Sequence, residues 1–278
     1  MKLSSIDIST APKHVIVYGP PKSGKTKLCF ALAEFYNIHY VGFESGEHVG
    51  KQLPHSWQER IDIINIPDTR TNPCATQTML RLIKNGRIRP CVEHGLDTCT
   101  TCSKNPDAGW NELDTKQLGP DDILVIDSLT QLTTSLLAHI GKGGGEDWKP
   151  EYDDWRKMGT LLDMILSEFQ NAPYNVICIS HENLVPVAHG IKGEEKVVPV
   201  AGTRNFSRNS AKYFDTVVYC EVKNGKHNFA SKTTYANNIL TGDRLGVDIS
   251  QSDIGLLPIF KGEQNAPAAK VSNLTIKK

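Results

Sequence analysis

The segment Gly19-Pro20-Pro21-Lys22-Ser23-Gly24-Lys25-Thr26 follows the apolar run His14-Val15-Ile16-Val17-Tyr18 and precedes a helix-forming stretch, Lys27 to Tyr36. A G-x-x-x-x-G-K-T sequence between a strand and a helix dictates an anion cradle. Its two glycines let the backbone curl so that successive N–H groups face inward, and the helix adds the positive end of its dipole at the same point. In such a cradle Lys25 neutralises the β- and γ-phosphates of a nucleoside triphosphate. The Thr26 hydroxyl ligates Mg²⁺, a hard cation that keeps several waters and takes few protein ligands. Gly19, Pro20, Pro21, Lys22, Ser23, Gly24, Lys25 and Thr26 are therefore the candidate cofactor-binding residues, for ATP with Mg²⁺.

At 278 residues the chain can bury one sizeable core. We expect one domain over residues 1–261, interrupted by an insertion at 67–119, and a disordered tail at 262–278. Basic and acidic residues both number 31, so no global basic field announces a nucleic-acid partner and any polyanion site must be local. The N-terminus lacks an apolar signal core, and no apolar run approaches the ~20 residues that span a bilayer. These features predict a soluble, cytoplasmic protein with no membrane partner. Seven cysteines, three of them between Cys91 and Cys102, suit metal binding in a reducing compartment better than a disulfide framework.

Strand and helix signals alternate along the chain. After a short arm at 1–13, a strand at 14–18 and a helix at 26–36 lead to a second strand, Ile38 to Phe43, and a third, Ile61 to Ile66. Within the insertion, a helix is predicted from Ala75 to Lys84. Asp122-Ile-Leu-Val-Ile-Asp127 reads as a strand covered on both faces. Ser128 and Gln131 form an S-x-x-Q capping box that starts a helix through about Ile140, ended by Gly141-Lys-Gly-Gly-Gly145. Tyr152, Trp155, Leu162, Ile165, Leu166 and Phe169 recur at helical spacing, predicting one long helix that turns this stripe to the core. Asn175 to Ser180 is another buried strand. Leu184–Ala188 and Lys196–Ala201 read as a β-hairpin, and 214–222 with 227–235 as a terminal antiparallel pair. The fold class expected is α/β, a mostly parallel central sheet flanked by helices, with a Cys/His-rich insertion and a C-terminal antiparallel extension.

Asp127 ends the ILVID strand, where a carboxylate can hold the Mg²⁺ water shell opposite Thr26. The order GPPKSGKT, a strand running into Glu44-Ser45-Gly46, ILVIDS, and a strand ending Ser180-His181-Glu182 resembles the RecA-like P-loop ATPases. It is most similar to the phage-encoded AAA-type ATP-binding proteins that include the Sak-type single-strand annealing recombinases, over roughly residues 12 to 248. That resemblance implies a hydrolase in which a glutamate at the end of the second core strand polarises the attacking water. Glu44 is the first choice for this base and Glu47 the alternative, since Gly46-Glu47-His48 can also be aligned there. The resemblance makes His181 a sensor of the γ-phosphate. A basic residue supplied to a neighbouring subunit would be Arg204, Arg208 or Arg244, which implies a homo-oligomer.

Cys91-Val-Glu-His94-Gly-Leu-Asp-Thr-Cys99-Thr-Thr-Cys102 gives C-x2-H-x4-C-x2-C. Two short chelating pairs separated by a turn suit a closed tetrahedral zinc site of structural type, with Cys91, His94, Cys99 and Cys102 as ligands. The RecA-like resemblance also implies single-stranded DNA as partner, with the loops 141–149 and 183–201 facing it and Lys142, Lys149, Lys192 and Lys196 available for phosphates. A single-strand DNA-binding protein is a further expected partner. The function expected is ATP hydrolysis on single-stranded DNA in phage recombination or replication, in the host cytoplasm. A ring-forming replicative helicase motor is one alternative. A nucleotide-gated interaction protein with a zinc-stabilised docking loop is another.

Overall fold

The apolar run ahead of the glycine-rich loop becomes an inner strand of a sheet. In a computed structural model describing residues 11–142, 147–187, 194–232, 238–244, 246–249 and 255–261, strand β1 (His14–Tyr18) is buried along its whole length. Helix α1 (Lys25–Phe30) follows, then β2 (Asn37–Gly42), the single turn α2 (His55–Gln58) and β3 (Ile61–Asn65). The 67–119 segment contains α3 (Cys74–Asn85) and a small pair, β4 (Arg87–Ile88) with β5 (Leu113–Asp114). Next come β6 (Asp122–Asp127), α4 (Leu129–Ile140), α5 (Tyr152–Gln170) and β7 (Asn175–Ser180). A hairpin of β8 (Glu182–Pro186) and β9 (Glu195–Pro199) leads to α6 (Arg204–Asn209). Strands β10 (Thr216–Lys223), β11 (Lys226–Ala230) and β12 (Gly242–Asp243) precede the last helix, α7 (Leu257–Lys261).

The main sheet runs β11-β10-β1-β7-β6-β2-β3, with β12 also on β10. Every pairing from β10 across to β3 is parallel, while β11 and β12 run antiparallel to β10. Side chains alternate between faces of a strand, and here both faces are covered. Ile16, Tyr18, Leu124 and Ile126 face the core under α3, α4 and α5. Val15, Val17, Ile123 and Val125 face the core under α1 and α7. This is the α/β architecture expected. Its functional consequence is that the parallel strands β1, β7, β6 and β2 discharge their carboxyl ends at one edge, where ligands bind in open α/β sheets.

Several elements depart from expectation. The helix predicted over 26–36 is α-helical only to Phe30 and continues as a 3₁₀ turn over Ala31–Glu34. Since Asn37 already opens β2, the tighter 3₁₀ turn, rising about 2.0 Å per residue against 1.5 Å, brings the chain to the sheet sooner. Only half of the Ser128 capping box forms. Ser128 accepts from the Gln131 amide, whereas the Gln131 side chain donates to Asp68 at 2.9 Å. A reciprocal capping box forms instead at Glu151 and Asp154, ahead of α5. The stripe on α5 is core only from Met158 onward. Tyr152 is 84% exposed and Trp155 37%, because the first turn of the helix precedes the part that packs on α4 and the sheet. The 214–222 run is more than half of a terminal hairpin, since β10 also joins β1 in parallel register. The 1–10 arm, Gly143–Gly145, Lys192, residues 233–235 and the tail lie outside the described residues.

Candidate functional site

The glycine-rich loop lies against β10, and that contact explains its first glycine. A Cβ on Gly19, at φ +151°, would stand 2.0 Å from the carbonyl oxygen of Cys220. Gly24 has φ +89°, and a Cβ there would meet the His227 ring at 2.9 Å. Gly19→Ala should therefore cost about 1–3 kcal/mol of stability, the usual cost of overpacking, because the obstructing atom is backbone. Gly242→Ala, whose Cβ would meet nothing within 4 Å, should stay within about 0.5 kcal/mol. Urea unfolding of the two variants reads the difference.

Lys25 is 7% exposed, and its ammonium donates to the carbonyls of Gly19 (3.0 Å) and Pro20 (2.8 Å). Burial holds its pKa below the ordinary lysine value, while nearby acidic groups, including Asp127 and Glu44, pull it the other way. The charge is thus poised over its own loop. Anionic oxygens arriving there would offer it stronger acceptors than the two carbonyls do.

Thr26 donates to Asp127 Oδ2 at 2.7 Å, and Tyr40 of β2 donates to the same oxygen at 3.0 Å. Asp127 is only 5% exposed. Its carboxyl is pushed above the usual range, first by burial and then by the negative charge of Glu44, with the Thr26 and Tyr40 hydrogen bonds and Lys25 opposing. A buried carboxylate sharing an oxygen contact with a hydroxyl is an all-oxygen donor set that fits Mg²⁺.

The β2–β6 register pairs Gly42 with Asp127, so the chain leaving β2 carries Glu44 beside the carboxyl end of β6. Glu44 accepts a hydrogen bond from Ser128 Oγ through Oε1, and its Oε2 lies 3.4 Å from His181 Nε2. His181 in turn donates its backbone N–H to Thr130 Oγ1 at 2.9 Å, and its Nδ1 is buried without a partner among the described residues. Glu47 opens a 3₁₀ segment, with Oε1 3.6 Å from His48 and a buried Oε2 that has no partner among the described residues. One edge of the sheet thus gathers Lys25, Thr26, Asp127, Glu44 and His181. Sequence reasoning missed Tyr40, Thr130 and His227, and it read Ser128 only as a helix cap. A tyrosine inside an otherwise aliphatic buried strand was the one available signal for Tyr40.

The three arginines stand elsewhere. Arg244 pairs with Asp215 (3.6 Å) and donates to the Lys212 carbonyl (3.0 Å), beside the amino end of β10 and thus at the opposite edge of the sheet. Arg208 donates to the Pro186 carbonyl, and Arg204 is exposed on the first turn of α6. Lys142 and Lys149 are exposed and Lys196 half-buried.

In the 67–119 segment, one potential ligand atom from each of Cys91, His94, Cys99 and Cys102 lies within 4.8 Å of the others. Zn–S bonds of about 2.3 Å set tetrahedral edges of about 3.8 Å, so small movements bring the four atoms into coordination. The His94 Nδ1 atom is the meeting point, 3.3 Å from Cys102 Sγ and 3.5 Å from Cys99 Sγ. Hydrogen bonding from the Cys102 amide leads in holding the Cys99 thiol down to about 7, which favours the thiolate a metal requires. Desolvation raises Cys102 to about 12, a preference for the thiol that a bound cation would reverse. All four side chains come from one 12-residue stretch, and Leu96, Ala108 and Trp110 pack around the cysteines.

No helix among the described residues is long and apolar enough to cross a membrane. The sequence matches the AAA domain family over residues 11–245. No curated protein matches it. Among solved structures, it is similar to the crystal structure of the RadB recombinase, at 14% sequence identity and a TM-score of 0.39. That similarity covers 80% of this chain and 88% of the other.

Proposed function

Because this chain belongs to the AAA domain family, we propose that it is an ATPase that binds Mg-ATP on the 19–26 loop and works on single-stranded DNA. The observation that carries the nucleotide part is the convergence of the loop and the strand ends: Thr26 on Asp127, and Glu44 held at the next strand end. Lys25 and the loop amides bind the β- and γ-phosphates. Thr26 and Asp127 hold Mg²⁺, directly or through its waters, and Tyr40 orients Asp127. The cation, when bound, draws charge from the transferring phosphoryl group.

Glu44 is the base that takes the proton of the attacking water. A carboxylate at a strand end beside Asp127 sits nearer the γ-phosphate than one three residues into the loop, which favours it over Glu47. Ser128 and His181 grip Glu44 from two directions, so a change at the γ-phosphate reaches His181 through the carboxylate they share. Cys91, His94, Cys99 and Cys102 hold a structural zinc. A neighbouring copy supplies an arginine in trans, Arg204 rather than Arg208, engaged with the Pro186 carbonyl, or Arg244, engaged with Asp215 and Lys212.

The DNA part rests on placement. The 183–201 connection leaves β7 just past His181, while the 141–149 connection follows the far end of α4, about 18 Å along the helix from the N-cap Ser128 that holds Glu44. Lys142, Lys149 and Lys196 supply its cations, with Lys192 expected to join them. At zero net charge, affinity must come from these few groups. Neutralising about 4 to 6 phosphates would make binding fall steeply as salt rises.

ATP turnover measured with and without single-stranded DNA at two salt concentrations tests this. We expect DNA to stimulate turnover at low salt and the stimulation to fade at high salt. DNA that neither binds at micromolar concentration nor alters the rate at low salt would remove the recombinase and helicase readings. A nucleotide-gated interaction protein docking through the Cys/His loop would then remain.

A further inference from the structure

Strand β11 braces the phosphate loop from outside. It begins after a two-residue turn, Asn224-Gly225, with both residues left-handed at φ 53° and 73°, the backbone that tight β-hairpins select. That turn fixes the register, pairing Val222 with His227 and Cys220 with Phe229. Alternation then puts His227 on the same face as Cys220 and Phe229, the face that α1 covers, and a slip of one residue would turn it away.

His227 Nδ1 lies 2.9 Å from the carbonyl oxygen of Ser23. A carbonyl only accepts, so Nδ1 carries the proton and donates. The ring also lies against Gly24, where a side chain at that position would begin.

The peptide plane carries this contact to the other side of the loop. The Ser23 C=O and the Gly24 N–H belong to one planar trans unit and point in opposite directions. A carbonyl drawn toward β11 therefore sends the Gly24 N–H away from β11, into the loop. An anion cradle works only while its N–H groups face inward. Glycine at position 24 makes this unit easy to turn over, because no Cβ resists the change in φ. His227 opposes the rotation, since a flipped unit would set the Gly24 N–H against the Nδ1 proton.

We propose that His227 is a positioning residue of the phosphate loop, latching the Ser23–Gly24 peptide with its N–H toward the phosphates. This rests on the ATPase reading above. His227 is exposed, on a strand at the end of the sheet, so replacing it opens no core cavity. The test is calorimetric binding of inorganic tripolyphosphate and of ADP, each with Mg²⁺, to the full chain and to its His227→Ala and His227→Asn variants, with urea unfolding of all three. His227→Ala should raise both Kd values about 3- to 10-fold, the scale of one hydrogen bond, and leave the urea midpoint nearly unchanged. Asparagine carries a side-chain N–H as many bonds from Cα as Nδ1 is, so His227→Asn should return both Kd values to within about twofold of wild type. Unchanged binding in His227→Ala would overturn the latch and leave the ATPase reading standing. So would weakening of ADP alone, an asparagine variant as weak as the alanine one, or a loss of affinity matched by a fall in the urea midpoint. A wild-type chain that binds neither probe removes the ATPase reading and the latch with it.

Discussion

A Glu44→Gln chain should bind Mg-ATP nearly as the wild type does and hydrolyse it at least ~100-fold more slowly, the scale of losing general-base help. The amide preserves size and can still accept from Ser128, so the grip on the side chain survives while its capacity to take a proton does not. Lys25→Ala is the contrasting case. Its ammonium already replaces solvent with two backbone carbonyls, and removing it takes away the charge that meets the phosphates, so binding itself should fail. Single-turnover hydrolysis with separately measured nucleotide affinity distinguishes the two. Normal turnover in Glu44→Gln with a slow Glu47→Gln would move the base to the 3₁₀ segment that Glu47 opens.

Purified under non-chelating conditions, the protein should carry one zinc per chain. Replacing Cys99 and Cys102 with serine should open residues 86–106 to proteolysis while sparing most of the basal ATPase. Structural zinc sites contribute on the order of 10 kcal/mol or more of binding free energy that small loops cannot replace. The loop around the four ligands is held otherwise by scattered polar contacts, among them Asp97 with Arg81 and with the Arg89 amide, the Val92 amide on the Gly109 carbonyl (3.0 Å) and Arg89 over the Trp110 ring (5.4 Å). Helix α3 beside it has independent anchors. Asp68 accepts from the Ala75 amide at the helix start and from Gln131 and Ser135 of α4, which holds the nucleotide edge in place when the loop opens. Metal analysis finding well under half an equivalent of zinc would sink this assignment.

What could be read along the chain was what contiguous residues decide. The glycine-rich loop is eight consecutive residues whose backbone requirements are local, and the Cys/His cluster folds within twelve. ILVID announced its strand because burial on both faces selects an unbroken apolar run. Tyr152 and Trp155 show the limit of such reading. Periodicity reports which residues share a helix face, but not how far along the helix that face is covered.

The sequence by itself determined the α/β alternation, the phosphate cradle, the strand-end carboxylates and the metal-ligand spacing. Each depends on residues within a turn or a strand of one another, where propensity and side-chain period act directly. Only the tertiary structure decided that β10 lies beside β1, some two hundred residues away in sequence, and so sets the Cys220 carbonyl where Gly19 must have no side chain. It alone brought Tyr40 to Asp127, Ser128 and His181 to Glu44, and β11 to the mouth of the phosphate loop. These contacts join elements through strand order. Order follows from how a whole set of faces is buried together, and no short stretch of residues carries that information.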